Sequence, residues 1–133
     1  MKRILMMSVF LGMLLISGSA AAWDELDLYK LISTKVCENC NLANAEISGL
    51  VLSGARMYKT NLYGATLYKA RLDHADLREA NLRAAQMNLA DLTGADLTGA
   101  DLTEANLIQV TLSEAIWTDG SKCKVGSIGH CYK

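Results

Sequence analysis

Ala75-Asp76-Leu77-Arg78-Glu79-Ala80-Asn81-Leu82 and, further on, Ala90-Asp91-Leu92-Thr93-Gly94-Ala95-Asp96-Leu97-Thr98-Gly99-Ala100-Asp101-Leu102 repeat one pattern every five residues. Leucine, or a close substitute, keeps this spacing from Leu42 to Trp117, and alanine usually stands two places before it. On an α-helix a five-residue step turns the side chain by about 140°, so no face stays apolar. On a flat strand an odd step throws successive leucines to opposite faces. A chain that bends once per pentad escapes both problems and sends every leucine to one interior. Stacked coils then pair their backbones, and each side becomes a small parallel sheet, a solenoid of the β-helix type.

The large interior slot begins Leu42, Ile47, Leu52, Met57, Leu62 and ends Leu107, Leu112, Trp117; the small slot begins Cys40, Ala45 and ends Ala115. Burying each leucine is worth roughly 1.5–3 kcal/mol. Leu50, Thr60 and Val110 break the small-residue rule. A buried Thr60 hydroxyl needs a backbone partner. Proline is absent, as ladders fed by backbone N–H groups require.

The iterated Ala-Asp/Asn-Leu runs resemble the pentapeptide-repeat family, over residues 37–119. The resemblance implies an all-β fold, a right-handed quadrilateral β-helix with four pentads per coil. The period alone leaves the number of sides open. Asn41, Asn61, Asn81 and Asp101, twenty apart, would share one column under that geometry. About four coils make a rod of roughly 20 Å.

Residues 1–22 read as a secretory signal peptide: Lys2 and Arg3, an apolar run from Ile4 to Ile16 that holds the sole Phe10, then Ser17 to Ala22. The apolar run is shorter than the ~20 residues of a membrane span, and no cysteine follows for a lipid anchor. The expectation is an exported chain, periplasmic or otherwise extracytoplasmic, with no membrane span once the leader is removed. An oxidising compartment favours disulfides. Cys37 and Cys40 precede the array while Cys123 and Cys131 follow it, too far apart along a rod for cross-pairing, so the expected bridges are Cys37–Cys40 and Cys123–Cys131. Cys37-Glu38-Asn39-Cys40 also has the spacing of a redox motif, but without a thioredoxin-like βαβ pattern around it. Zinc shared with His130 across the rod is excluded by distance.

Both ends need covers, because an open coil exposes a sheet edge and an apolar duct. Residues 23–36 read as a capping helix with Asp24 at its N-cap and Leu28, Leu31 and Ile32 closing the top. Trp117 would plug the bottom, followed by the Asp119-Gly120 turn and a disulfide-closed tail over 120–133. Similar CxxC and Cys-containing tail segments flank the array in exported members of the family that the chain resembles.

Function has to sit on outward positions. His74 lies beside Asp73 and Asp76, but no motif places a nucleophile with it, so no enzyme is expected. The acids Asp76, Asp91, Asp96 and Asp101 precede leucine and suit turn-backbone bonding better than calcium, which needs several acids in one loop. No metal or cofactor is expected. Arg56, Lys59, Lys69, Arg71, Arg78 and Arg83 crowd the upper half and acids the lower half, with a net charge of −1. Some family members are thought to mimic DNA with a long acidic rod. A short, half-basic, exported rod does not fit that role, and no nucleic-acid partner is expected.

With four faces, Tyr68, Leu89 and Ile108 fall on one face in successive coils and form the candidate binding patch, whereas Tyr58 and Tyr63 belong to other faces. The expected function is a rigid, non-enzymatic scaffold for an unknown protein or envelope component, as a monomer or end-to-end dimer. The competing reading is a secreted redox or metal-handling protein using Cys37 and Cys40.

Overall fold

A computed structural model describes residues 23–133. The expected signal peptide, 1–22, lies outside the described residues. From Val36 to Ile116 parallel bridges join one residue in each pentad to the residue twenty later: Asn41 to Asn61 to Asn81 to Asp101, and Glu46 to Thr66 to Gln86 to Asn106. Twenty residues per coil and five per side give four sides, which fixes the quadrilateral β-helix that the period left open.

Each corner has one chemistry. In the first coil Ala45 N donates to Leu42 O at 3.1 Å, closing a four-residue turn. Its third residue, Asn44, has φ 61°, and a positive φ recurs every fifth residue from Asn39 to Glu114. This is the type II turn, whose third position favours glycine. Alanine at the fourth position lets the backbone close on the axis, and Leu42 to Leu97 fill the duct with exposures of 2% or less. Between corners, Leu62 N donates to Asn81 O and Asn61 N to Cys40 O, so each side bonds both neighbouring coils.

The exceptional small-slot residues are accommodated. Thr60 is fully buried, and its hydroxyl donates to the Cys37 carbonyl. Val110 is buried and Leu50 is half-buried against the core.

The top cover is α1, Glu25–Thr34, with Asp24 accepting from Leu26 N at 2.8 Å and Lys35 ending it at φ 57°. Acids in its first turn suit the positive end of the helix. Leu31 is fully buried and Leu28 packs on the core, but Ile32 is 44% exposed. That corrects the expected three-residue plug. Ile32 is adjacent to Leu31 on a helix, so the two point about 100° apart and only one can face the duct.

At the bottom the array stops because the corner changes. Gly120, not residue 119, takes the positive φ of 83°. The chain then reverses: Lys122 pairs antiparallel with Ile116, and Ile128 with Thr111. Trp117 is half-buried against the core. Cys123 and Cys131 close the tail, with Cα atoms 5.0 Å apart.

Candidate functional site

The two cysteine pairs are joined as the sequence suggests, Cys37 to Cys40 and Cys123 to Cys131, and no described cysteine is free. Asp27 comes close to the first pair: a carboxylate oxygen and both sulfurs lie within 4.8 Å of one another. With the sulfurs bonded to each other there is no thiolate to ligate a metal. The Asp27 carboxylate instead accepts from Asn41 N at 2.8 Å, tying α1 to the first coil.

The acids before leucine bond turn backbone. Asp91, Asp96 and Asp101 each accept the N–H two residues on at 2.9–3.0 Å, and the hydroxyls of Thr93, Thr98 and Thr103 at 2.6 Å. Asn61 and Asn81 do the same for Tyr63 N and Arg83 N at 3.2 Å. Such an Asx turn serves Asp and Asn alike. Hydrogen bonding from Thr103 lowers the Asp101 pKa below its usual range.

The basic upper half pairs with acids of its own and lower coils. Arg78 bonds Asp76 at 2.7 Å and reaches Asp96 at 4.0 Å, while Lys59 meets Glu79 at 3.3 Å and Arg83 meets Asp101 at 3.9 Å. The uneven charge along the sequence is therefore largely paired in space. Tyr58 is enclosed here: Lys59 and Arg78 sit 5.1 and 5.5 Å from its ring centre, and its hydroxyl donates to Glu79 at 3.1 Å. His74 is exposed and lies over Gly94 of the next coil.

The apolar candidates do share one side. Tyr68 and Ile108 occupy one column two coils apart, with Asn88 between them, and Leu89 follows Asn88. Lys69 N donates to Asn88 O and Leu89 N to Ile108 O, so the three residues stand on one stack of hydrogen-bonded corners. Their exposures are 36%, 41% and 67% for Tyr68, Leu89 and Ile108. Lys69 lies 5.0 Å from the Tyr68 ring centre, giving the patch a cationic border. Leu89 takes the left-handed corner with φ 64°, where Gly49 stands two coils above. Leucine has no side-chain bond to offset that conformation, which costs an L-residue roughly 1–2 kcal/mol.

The pentapeptide-repeat model matches in 8 copies, over residues 36–73, 60–99 and 75–114. Among solved structures, HetL from the cyanobacterium Nostoc, described as involved in heterocyst differentiation regulation, is 34% identical over 65% of this chain and 42% of its own, with a TM-score of 0.39. The chain thus spans less than half of HetL. An Arabidopsis thaliana thylakoid-lumen pentapeptide-repeat protein is 21% identical over 75% of this chain and 82% of its own, TM-score 0.34. QnrB1, a plasmid-mediated fluoroquinolone resistance protein, is 21% identical over 62% of this chain and 53% of its own, TM-score 0.33. A search of curated proteins finds no match. The repeat spacing, the twenty-residue coil and the family model together place this chain in the pentapeptide-repeat family, whose members are quadrilateral β-helices.

Proposed function

We propose that the protein is an exported, non-enzymatic rod that holds a partner protein or envelope component on the side bearing Tyr68, Leu89 and Ile108. One observation carries the reading: Leu89 keeps an apolar side chain in solvent at a left-handed corner where glycine would be less strained. Export rests on the leader composition and is supported by two disulfides, which persist in oxidising compartments. The rigid ladder suits binding, because a preordered face loses little conformational entropy on association.

The test is to replace Leu89 and Ile108 by lysine and recover partners from an envelope extract. Lysine already occupies left-handed corners at 59 and 69, so the fold tolerates it there. A lost partner supports the reading, and an unchanged partner list removes the patch. The rival reading, redox or metal handling at Cys37 and Cys40, is favoured only by the nearby Asp27 carboxylate. Thiol labelling of the purified protein separates the two, since a bridge readily opened by mild reductant supports the rival.

A further inference from the structure

The C-terminal tail covers only part of the lower end. It pairs with the sides that carry Thr111 and Ile116, and Gly129 N donates to Val110 O at 2.8 Å. The remaining stretch, from Ala100 to Leu107, has no strand beneath it among the described residues. In the coil above, Leu82 N donates to Asp101 O, Ala84 N to Thr103 O and Met87 N to Asn106 O. The equivalent donors one coil lower, Leu102 N, Glu104 N and Leu107 N, have no partner among the described residues, nor do the carbonyls of Ala100 and Ala105. The core thins at the same place. Leu102, Ala105 and Leu107 are half-buried, whereas Leu82, Ala85 and Met87 directly above are fully buried. Unpaired ladder groups on two sides that meet at the Glu104 corner, beside apolar side chains, are a template for another segment that turns with them.

Charge selects the occupant. Asp101 and Glu104 stand on this edge, and no Lys or Arg occurs between Ala84 and Gly120. Asp101 reaches Arg83 only at 3.9 Å, and Glu104 makes no ion pair among the described residues. Of the three tail lysines, Lys122 pairs with Glu114 and Lys133 with Asp119, and Lys124 makes no ion pair among the described residues. A second copy that paired edge to edge would bring two such acidic rows together, and like charges facing across strands are destabilising. We propose that the open lower edge, Ala100 to Leu107, receives a segment of a partner protein that bends with the Glu104 corner, carrying apolar residues at the spacing of Ala100, Leu102, Ala105 and Leu107 and lysine or arginine facing Asp101 and Glu104. Its backbone would complete the Leu102 and Glu104 ladder, its apolar side chains would cover Leu102 and Leu107, and its cations would meet Asp101 and Glu104. This site is distinct from the outward patch.

The probe is a labelled peptide of about eight residues with valine at that spacing and lysine at the positions facing Asp101 and Glu104, titrated into the full chain with both disulfides intact. Fluorescence anisotropy should rise saturably. Amide exchange at Leu102, Glu104 and Leu107 should slow about tenfold or more at saturation, while the already paired Leu62 amide should not change. A glutamate–valine peptide should bind about tenfold more weakly, and Glu104→Lys, which leaves Asp101 opposite a new cation, should erase that preference. Leu89→Lys, which disrupts the outward patch, should leave the peptide affinity unchanged, so the two sites fail separately. Absence of saturable binding, protection confined to other amides, or sedimentation showing this edge closed between two copies overturns the proposal.

Discussion

Asn81 donates from Nδ2 to Oδ1 of Asn61 at 3.0 Å, and Asn61 donates in turn to Asn41 at 3.1 Å, each across twenty residues of sequence. The asparagine ladder marks one coil per step. It also couples neighbouring coils through side chains as well as backbone. Asn61→Ala removes both links and its bond to Tyr63 N. At this partly solvated position the expected cost is ~1–2 kcal/mol, read as a lower urea midpoint. An unchanged midpoint would mean that the ladder contributes no net stability.

Leu72 and Leu77 are fully buried in the middle of the rod. Leu77→Ala should cost ~2–5 kcal/mol by emptying the duct. Each coil touches only its neighbours, so hydrogen exchange should show the loss spread to adjacent coils more than to the ends. A loss under 1 kcal/mol would contradict a dry, close-packed axis.

A Cβ on Gly94, built at φ 66°, would lie 2.5 Å from Nδ1 of His74. Gly94→Ala should therefore cost ~1–2 kcal/mol from backbone strain, plus the displacement of the histidine ring. In a His74→Ala background only the strain remains, so thermal denaturation should show a smaller loss for the same substitution.

Leu89→Gly makes the opposite prediction for stability and binding. Relief of the left-handed leucine, less the added chain entropy of glycine, should leave the fold ~0.5–1 kcal/mol more stable or unchanged. Partner recovery should fall. Stability and recovery falling together would instead make Leu89 a packing residue.

Acid should weaken the rod. Hydrogen bonding from Ser53 holds the Asp73 carboxyl below its usual range, Arg78 does so for Asp76, and Lys133 for Asp119. A carboxylate whose folded pKa is depressed stabilises the fold fully above its unfolded value, near 4, and that stability is lost as pH falls toward the folded value. The urea midpoint should be flat from about pH 7 to 5 and decline below about pH 4. Asp76→Asn should shallow the decline.

Much of this was legible because the repeat imposes itself at every pentad. Leucine and alanine spacing identified the duct, and the cysteine positions identified both bridges. The sequence left the number of sides open because a period of five fits several prisms. Only the Asn41, Asn61, Asn81 and Asp101 column pointed to four, and Asn and Asp are common in that slot. The strain at Leu89 was recoverable in principle: Gly49, Gly54, Gly64, Gly94 and Gly99 keep the same five-residue phase, marking a corner that favours a left-handed residue. The open lower edge was not legible, since it depends on which sides the tail chooses to cover. Ile32 was misplaced because apolar character alone does not tell which residue of a helix faces the duct.

Three of the five tyrosines offer the sharpest test, because Tyr58, Tyr63 and Tyr68 stand on three different sides of the same coil. A photoreactive phenylalanine derivative can replace each in turn, with crosslinking carried out in intact cells. Reading the Tyr68 side as the partner face predicts a discrete adduct from position 68 and none from 58 or 63. An equal adduct from all three positions, or one from 58 or 63 alone, would contradict it.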